Sequence, residues 1–234
     1  MPDRPLQSQG VLAWRTAALA ALAGCGDGEK SAGQGTPLVG TFKLEAGTCD
    51  ANGATGSYFR MIARGGTVEK GNYFLNPDSP CPDQSYSVQE PGADGGLVAG
   101  EFQPGPKKAF DPSGNAEADE ISKPGSFTAI KFAVSTNKVD PQTELEVDAP
   151  EIFVQDGKLS GQITAWSAAW NNLYFNQGSP KPDGTTEGLT SPVVGTYDED
   201  SGRFELSWSS TIEGGPFDRF SGNWHLEGTF VASK

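Results

Sequence analysis

Phe204-Glu205-Leu206-Ser207-Trp208-Ser209-Ser210-Thr211-Ile212 alternates apolar and polar side chains. In an extended chain successive side chains point to opposite faces. Phe204, Leu206, Trp208 and Ile212 therefore share one face, and Glu205, Ser207 and Ser209 the other. This is the pattern of a half-buried antiparallel strand. The same period recurs in residues 128–134, with Ile130, Phe132 and Val134 on one side. It recurs again in residues 223–231, where Trp224, Leu226 and Phe230 read inward and His225, Glu227 and Thr229 outward.

Turn signals separate these runs at hairpin spacing. Asp156-Gly157 lies between strands expected over 151–154 and 159–166, an Asp-Gly hairpin by composition. Residues 198–202 join a strand at 193–197 to the one at 204–212, and Gly214-Gly215-Pro216 and Ser221-Gly222 punctuate the last strands. Residues 104–124 are polar and Gly/Pro-bearing, a long loop. The 31 Gly and 17 Pro make up about a fifth of the 234 residues, against roughly an eighth in ordinary usage. That excess argues against a helical bundle, while 13 Phe, 5 Trp and 5 Tyr suffice for a core.

A glycine-aromatic motif repeats irregularly: Val39-Gly40-Thr41-Phe42, Ala99-Gly100-Glu101-Phe102, Val194-Gly195-Thr196-Tyr197 and Glu227-Gly228-Thr229-Phe230. Glycine in a strand beside an aromatic marks a place where the sheet curls. The expected fold is all-β: an antiparallel β-barrel or a strongly curled β-sandwich with long loops. Gly215-Pro216-Phe217, followed by Ser221-Gly222-Asn223-Trp224-His225-Leu226-Glu227-Gly228-Thr229-Phe230, resembles the closing hairpin of calycin-like barrels. Ala165-Trp166-Ser167-Ala168-Ala169-Trp170-Asn171-Asn172 is similar to a strand of avidin-type barrels. The resemblance implies architecture only. Residues 176–192 and the N-terminal half depart from both families.

The first 24 residues read as an address. Arg4 and Arg15 precede Ala17-Ala18-Leu19-Ala20-Ala21-Leu22-Ala23-Gly24, a short apolar run of secretory type. It is far below the roughly 20 residues needed to span a bilayer. Leu22-Ala23-Gly24-Cys25 resembles the lipobox of bacterial lipoproteins, which implies cleavage before Cys25 and a diacylglyceryl group on its thiol. Translation starts at Met1 or at Val11. Residues 25–37 hold no large apolar side chain and read as a flexible tether. A single β domain is expected over 38–234.

Three cysteines are present. With Cys25 lipidated, Cys49 and Cys81 remain, and in an exported chain an even pair is expected to form a disulfide. Neither has His or further Cys at metal spacing. The formal charge of −13, and −14 once Asp3, Arg4 and Arg15 leave with the leader, excludes nucleic acid as a partner, since phosphate binding needs clustered Lys and Arg. It suits a soluble, monomeric extracytoplasmic domain.

Chemistry-bearing residues are few. The single His, His225, stands beside Glu227 on an outward strand face, with Ser207 and Ser221 near in sequence. A Ser-His-acid relay lacks the Gly-x-Ser-x-Gly elbow here, and a haem-ligating role has only the lone His to support it. The acidic loops 198–202 and 111–119 alternate oxygen ligands as calcium sites do, without a full binding pattern. All four Trp residues beyond the leader fall in the C-terminal third. Trp166, Trp170, Asn171, Asn172 and Tyr174 are the candidate ligand contacts, an aromatic pocket or platform for a small apolar or glycan ligand. The expected role is a lipid-anchored binding or structural protein on the extracytoplasmic face of a bacterial membrane, non-catalytic and without cofactor or metal. The alternatives are an envelope-glycan hydrolase and a carrier of haem or a small apolar ligand.

Overall fold

A computed structural model describes residues 35–51, 53–184 and 188–233. The N-terminal part forms β1 (Thr36–Pro37), β2 (Gly40–Leu44), β3 (Thr48–Asp50) and β4 (Gly53–Thr55). The long β5 (Tyr58–Thr67) follows, then the short β6 (Gly71–Tyr73), β7 (Ser87–Val88) and β8 (Gly96–Ala99). The middle supplies β9 (Gly125–Phe127), β10 (Ile130–Thr136), β11 (Glu151–Gln155) and β12 (Lys158–Gln162). After β13 (Trp166–Trp170) and β14 (Leu173–Asn176) come β15 (Ser191–Tyr197), β16 (Arg203–Thr211) and β17 (Ser221–Ala232). One 3-10 turn, Gly215–Phe217, precedes β17.

The fold is all-β. Eleven strands form one antiparallel sheet whose main order is β1-β11-β12-β15-β16-β17-β2-β8. The twelve-residue β17 carries two strands in line along one edge. Its end pairs with β2, with Phe230 opposite Phe42, and its beginning pairs with β5, with Trp224 opposite Phe59. Only Leu38 and Val39 separate β1 from β2, and Leu38 N–H donates to Ile152 C=O at 2.8 Å. Distant positions in the strand order thus belong to one stretch of chain, and the sheet is strongly curled. β1 falls within the stretch expected as tether, so ordered pairing begins at Thr36.

Glycine permits that curl by close approach. A Cβ on Gly195 would overlap the Glu205 carbonyl of β16, and one on Gly228 the Lys43 carbonyl of β2. Both belong to the glycine-aromatic motif. Gly100 differs: it follows β8 with φ 92°, in the left-handed region.

A second, four-stranded sheet runs β14-β13-β10-β9. Its inward rings meet those of the large sheet. Trp166 stands edge-on to Trp208 and Trp224, with centroids 5.2 and 5.3 Å apart, and Trp208 stacks on Trp224 at 6.1 Å. Phe59 packs on Trp224 at 4.6 Å. Such pairs add about 0.5–1.5 kcal/mol each beyond the area they bury.

The strand expected from residue 128 starts at Ile130 instead. Thr128 and Ala129 have positive φ and form the two-residue turn between β9 and β10. The run 159–166 divides: β12 ends at Gln162, and Trp166 opens a strand of the other sheet. The polar end of β16 is buried on both faces because Gly178, Thr190 and Ser191 lie over it. Ser210 Oγ donates to Gly178 C=O at 2.8 Å, and Ser209 N–H to Ser191 Oγ at 2.8 Å. The loop at 104–124 likewise covers the second sheet, Ala116 and Ala118 packing with Ala133 and Ala169. Cys49 on β3 is bonded to Cys81, with Cα atoms 5.2 Å apart.

Candidate functional site

Among the described residues, the aromatic core holds one small cavity. A cavity of about 40 Å³ lies among Phe59, Met61, Phe127, Phe132, Trp170 and Phe217. At roughly 10–15 Å³ per water-sized occupant, it is smaller than any ring it could accept. The expected aromatic platform is not assembled. Trp166, 1% exposed, is a core side chain in contact with two other tryptophans. Trp170 is half-buried and donates its indole N–H to Phe127 C=O at 2.9 Å. Asn171 and Asn172, with φ of 50° and 60°, are the two-residue turn joining β13 to β14, where asparagine tolerates the left-handed conformation. Tyr174 packs on Phe110 at 5.3 Å. Hairpin chemistry and core packing account for all five.

A different constellation forms on the outer face. Cross-strand register places Ser207 of β16, His225 of β17 and Tyr58 of β5 in one row. Strand alternation turns all three outward, because Trp208, Trp224 and Phe59 turn inward. His225 Nδ1 lies 2.9 Å from Ser207 Oγ, and the imidazole stacks on Tyr58 with centroids 4.7 Å apart. Tyr58 meets Tyr86 edge-on at 4.9 Å. The Arg60 guanidinium is held between Tyr73 and Tyr86, 3.4 and 4.2 Å from the two ring centroids. Arg60 Nη2 donates to Ser85 Oγ at 3.3 Å.

Burial holds His225 below its ordinary pKa of 6.5, with Glu205 and Glu227 opposing. Burial, reinforced by Tyr86, pushes the Tyr58 phenol up, with Arg60 opposing. The Glu227 carboxylate accepts from Arg203 Nη2 at 2.6 Å and from Gly56 N–H at 3.1 Å, and stands 3.9 Å from His225 Nε2. Arg203 also bonds Glu45 at 2.9 Å.

A serine, a histidine and an acid therefore do come together on this face. Glu227 lies beyond hydrogen-bond reach of the imidazole. Ser207 and His225 sit in central strands, paired to neighbours on either side. The carboxylates of the acidic loops act as turn caps. Asp111 Oδ1 accepts from Ser113 and Asn115 N–H at 2.7 and 3.0 Å, and Asp198 Oδ1 from Asp200 and Ser201 N–H at 2.9 and 3.0 Å. These bonds, from the Asn115 side chain first for Asp111 and from Ser201 first for Asp198, lower both pKa values.

Cys25 and the lipobox lie outside the described residues. Tyr58, Arg60, Tyr73 and Tyr86 were not singled out in the sequence, although Tyr58-Phe59-Arg60-Met61 carries the alternation that turns Tyr58 and Arg60 outward. Comparison with family models, curated proteins and solved structures finds no match to this chain.

Proposed function

We propose that the chain is a lipid-anchored, non-catalytic binding protein of the bacterial envelope that takes a glycan on its outer sheet face. The observation that carries the reading is the half-buried row Ser207–His225–Tyr58 continuing into Tyr86, Arg60 and Tyr73. Rings with polar tips, hydroxyls and a fixed guanidinium supply the stacking surface and the hydrogen bonds that sugars use. The anchor rests on Leu22-Ala23-Gly24-Cys25 and on cysteine arithmetic: Cys49 and Cys81 are joined to each other, and Cys25 is the third cysteine of the sequence.

Co-sedimentation of the full-length protein, in detergent, with purified envelope glycan tests the binding. Wild type is expected to pellet with the glycan, and Tyr58→Ala to remain in the supernatant while still unfolding in one cooperative transition. Equal pelleting of both, or none by wild type, would contradict the proposal.

A further inference from the structure

The described chain holds four arginines, and three of them face a carboxylate. Arg64 and Arg219 lie 3.5 and 3.9 Å from Asp218, and Arg203 lies 2.6 and 2.9 Å from Glu227 and Glu45. Those three are exposed. Arg60, the most buried of the four, has no carboxylate within ion-pair distance among the described residues, and its Nε is buried without a hydrogen-bond partner. Ser85, which accepts from Arg60, passes a hydrogen bond on to Asp83, its Oγ donating at 2.8 Å. In a chain with 30 acidic residues against 17 basic ones, a guanidinium packed on two tyrosine rings and without a carboxylate in ion-pair distance among the described residues is out of keeping with the rest.

Tyr73 and Tyr86 both pack against that guanidinium, Nε is closed off from solvent and Nη2 is bonded to Ser85, so a further group can approach only at the terminal Nη nitrogens. An in-plane fork of N–H donors fits a carboxylate, which it binds through two parallel hydrogen bonds. The clamp removes the freedom such a side chain would otherwise lose on binding. Beside it, the His225–Tyr58 stack offers a ring surface and Ser207 a hydroxyl. We propose that Arg60 is an anion-recognition residue, and that the glycan bound on this face is a sugar acid whose carboxylate docks on the Arg60 edge. This rests on the outer-face binding reading above. The net charge of −13 repels polyanions, so the ligand carries one carboxylate per site.

Saturation-transfer difference NMR on the full-length protein in detergent, titrated with D-glucuronate, D-glucose and acetate up to about 10 mM, tests this directly. D-glucuronate is expected to bind at least about tenfold more tightly than D-glucose or acetate. Arg60→Lys, which keeps the charge but loses the fork, is expected to remove that tenfold preference. Equal binding of D-glucuronate and D-glucose by wild type would overturn the role of Arg60 while leaving a glycan-binding face. Arg60→Lys binding D-glucuronate as wild type does would make the clamp a packing feature only. No signal from either sugar would overturn the outer-face reading itself. A melt of each variant separates loss of binding from loss of fold.

Discussion

Ser207 and His225 stand directly opposite one another on β16 and β17, with Oγ and Nδ1 2.9 Å apart. Burial of the imidazole, stacked on the Tyr58 ring, favours its neutral form.

Because burial lowers the His225 pKa below 6.5, the unfolded chain binds the proton more readily than the folded one. Linkage then makes this group's contribution fall as pH drops below 6.5, levelling once the folded pKa is passed. Urea denaturation from pH 8 to pH 5 is expected to show that loss in wild type and a flatter profile in His225→Gln. Identical profiles would mean that the imidazole charges freely in the folded state.

The bond between Cys49 and Cys81 closes a loop with a sequence separation of 32. Loop-closure entropy values such a cross-link at roughly 3.7 kcal/mol. Cys49→Ser and Cys81→Ser are each expected to lower the melting temperature by about 10 °C, and by the same amount. Clearly unequal losses would mean that one thiol has a further role.

Gly195 and Gly228 lie where the sheet curls most tightly against neighbouring carbonyls. Gly195→Ala is expected to destabilise by about 3 kcal/mol or more through forced strand separation. Gly105 is the control: a Cβ there meets only ordinary contacts at 3.7–3.8 Å, and Gly105→Ala is expected within about 0.5 kcal/mol of wild type. Chemical denaturation of the pair measures the difference, and equal effects would contradict the close-approach argument.

Trp166 and Trp208 are both fully buried and differ in one bond. Trp208 Nε1 donates to Gln177 C=O at 2.8 Å, while Trp166 Nε1 has no partner. Trp208→Phe strands a buried carbonyl and is expected to lose about 1–3 kcal/mol more than Trp166→Phe. The same denaturation series decides it. A larger loss for Trp166→Phe would show that its indole N–H is bonded after all.

The alternating strands were legible because each has one face on the core. In β17 Trp224 and Leu226 are buried while Glu227 and Thr229 lie toward solvent, and the Asp156-Gly157 turn falls where its composition places it. Alternation fails where both faces are covered. Phe132 through Thr136 are all buried under a polar loop, and Ser209 to Thr211 under Gly178, Thr190 and Ser191. Thr128-Ala129 forms a tight turn with neither Gly nor Asn to signal it. The outer-face cluster was hidden for another reason. Tyr58, Tyr73 and Tyr86 are far apart in sequence and converge only through β5 pairing with β6 and β7. The tryptophans, conspicuous in sequence, are the core.

Intact mass spectrometry of the protein extracted gently from its host membrane tests most directly whether this is an anchored envelope protein. The expected mass is that of residues 25–234 plus a diacylglyceryl group, two hydrogens light for the Cys49–Cys81 bond. An unprocessed, unlipidated chain beginning at Met1 would contradict the anchor and remove the envelope as the place where the outer face works.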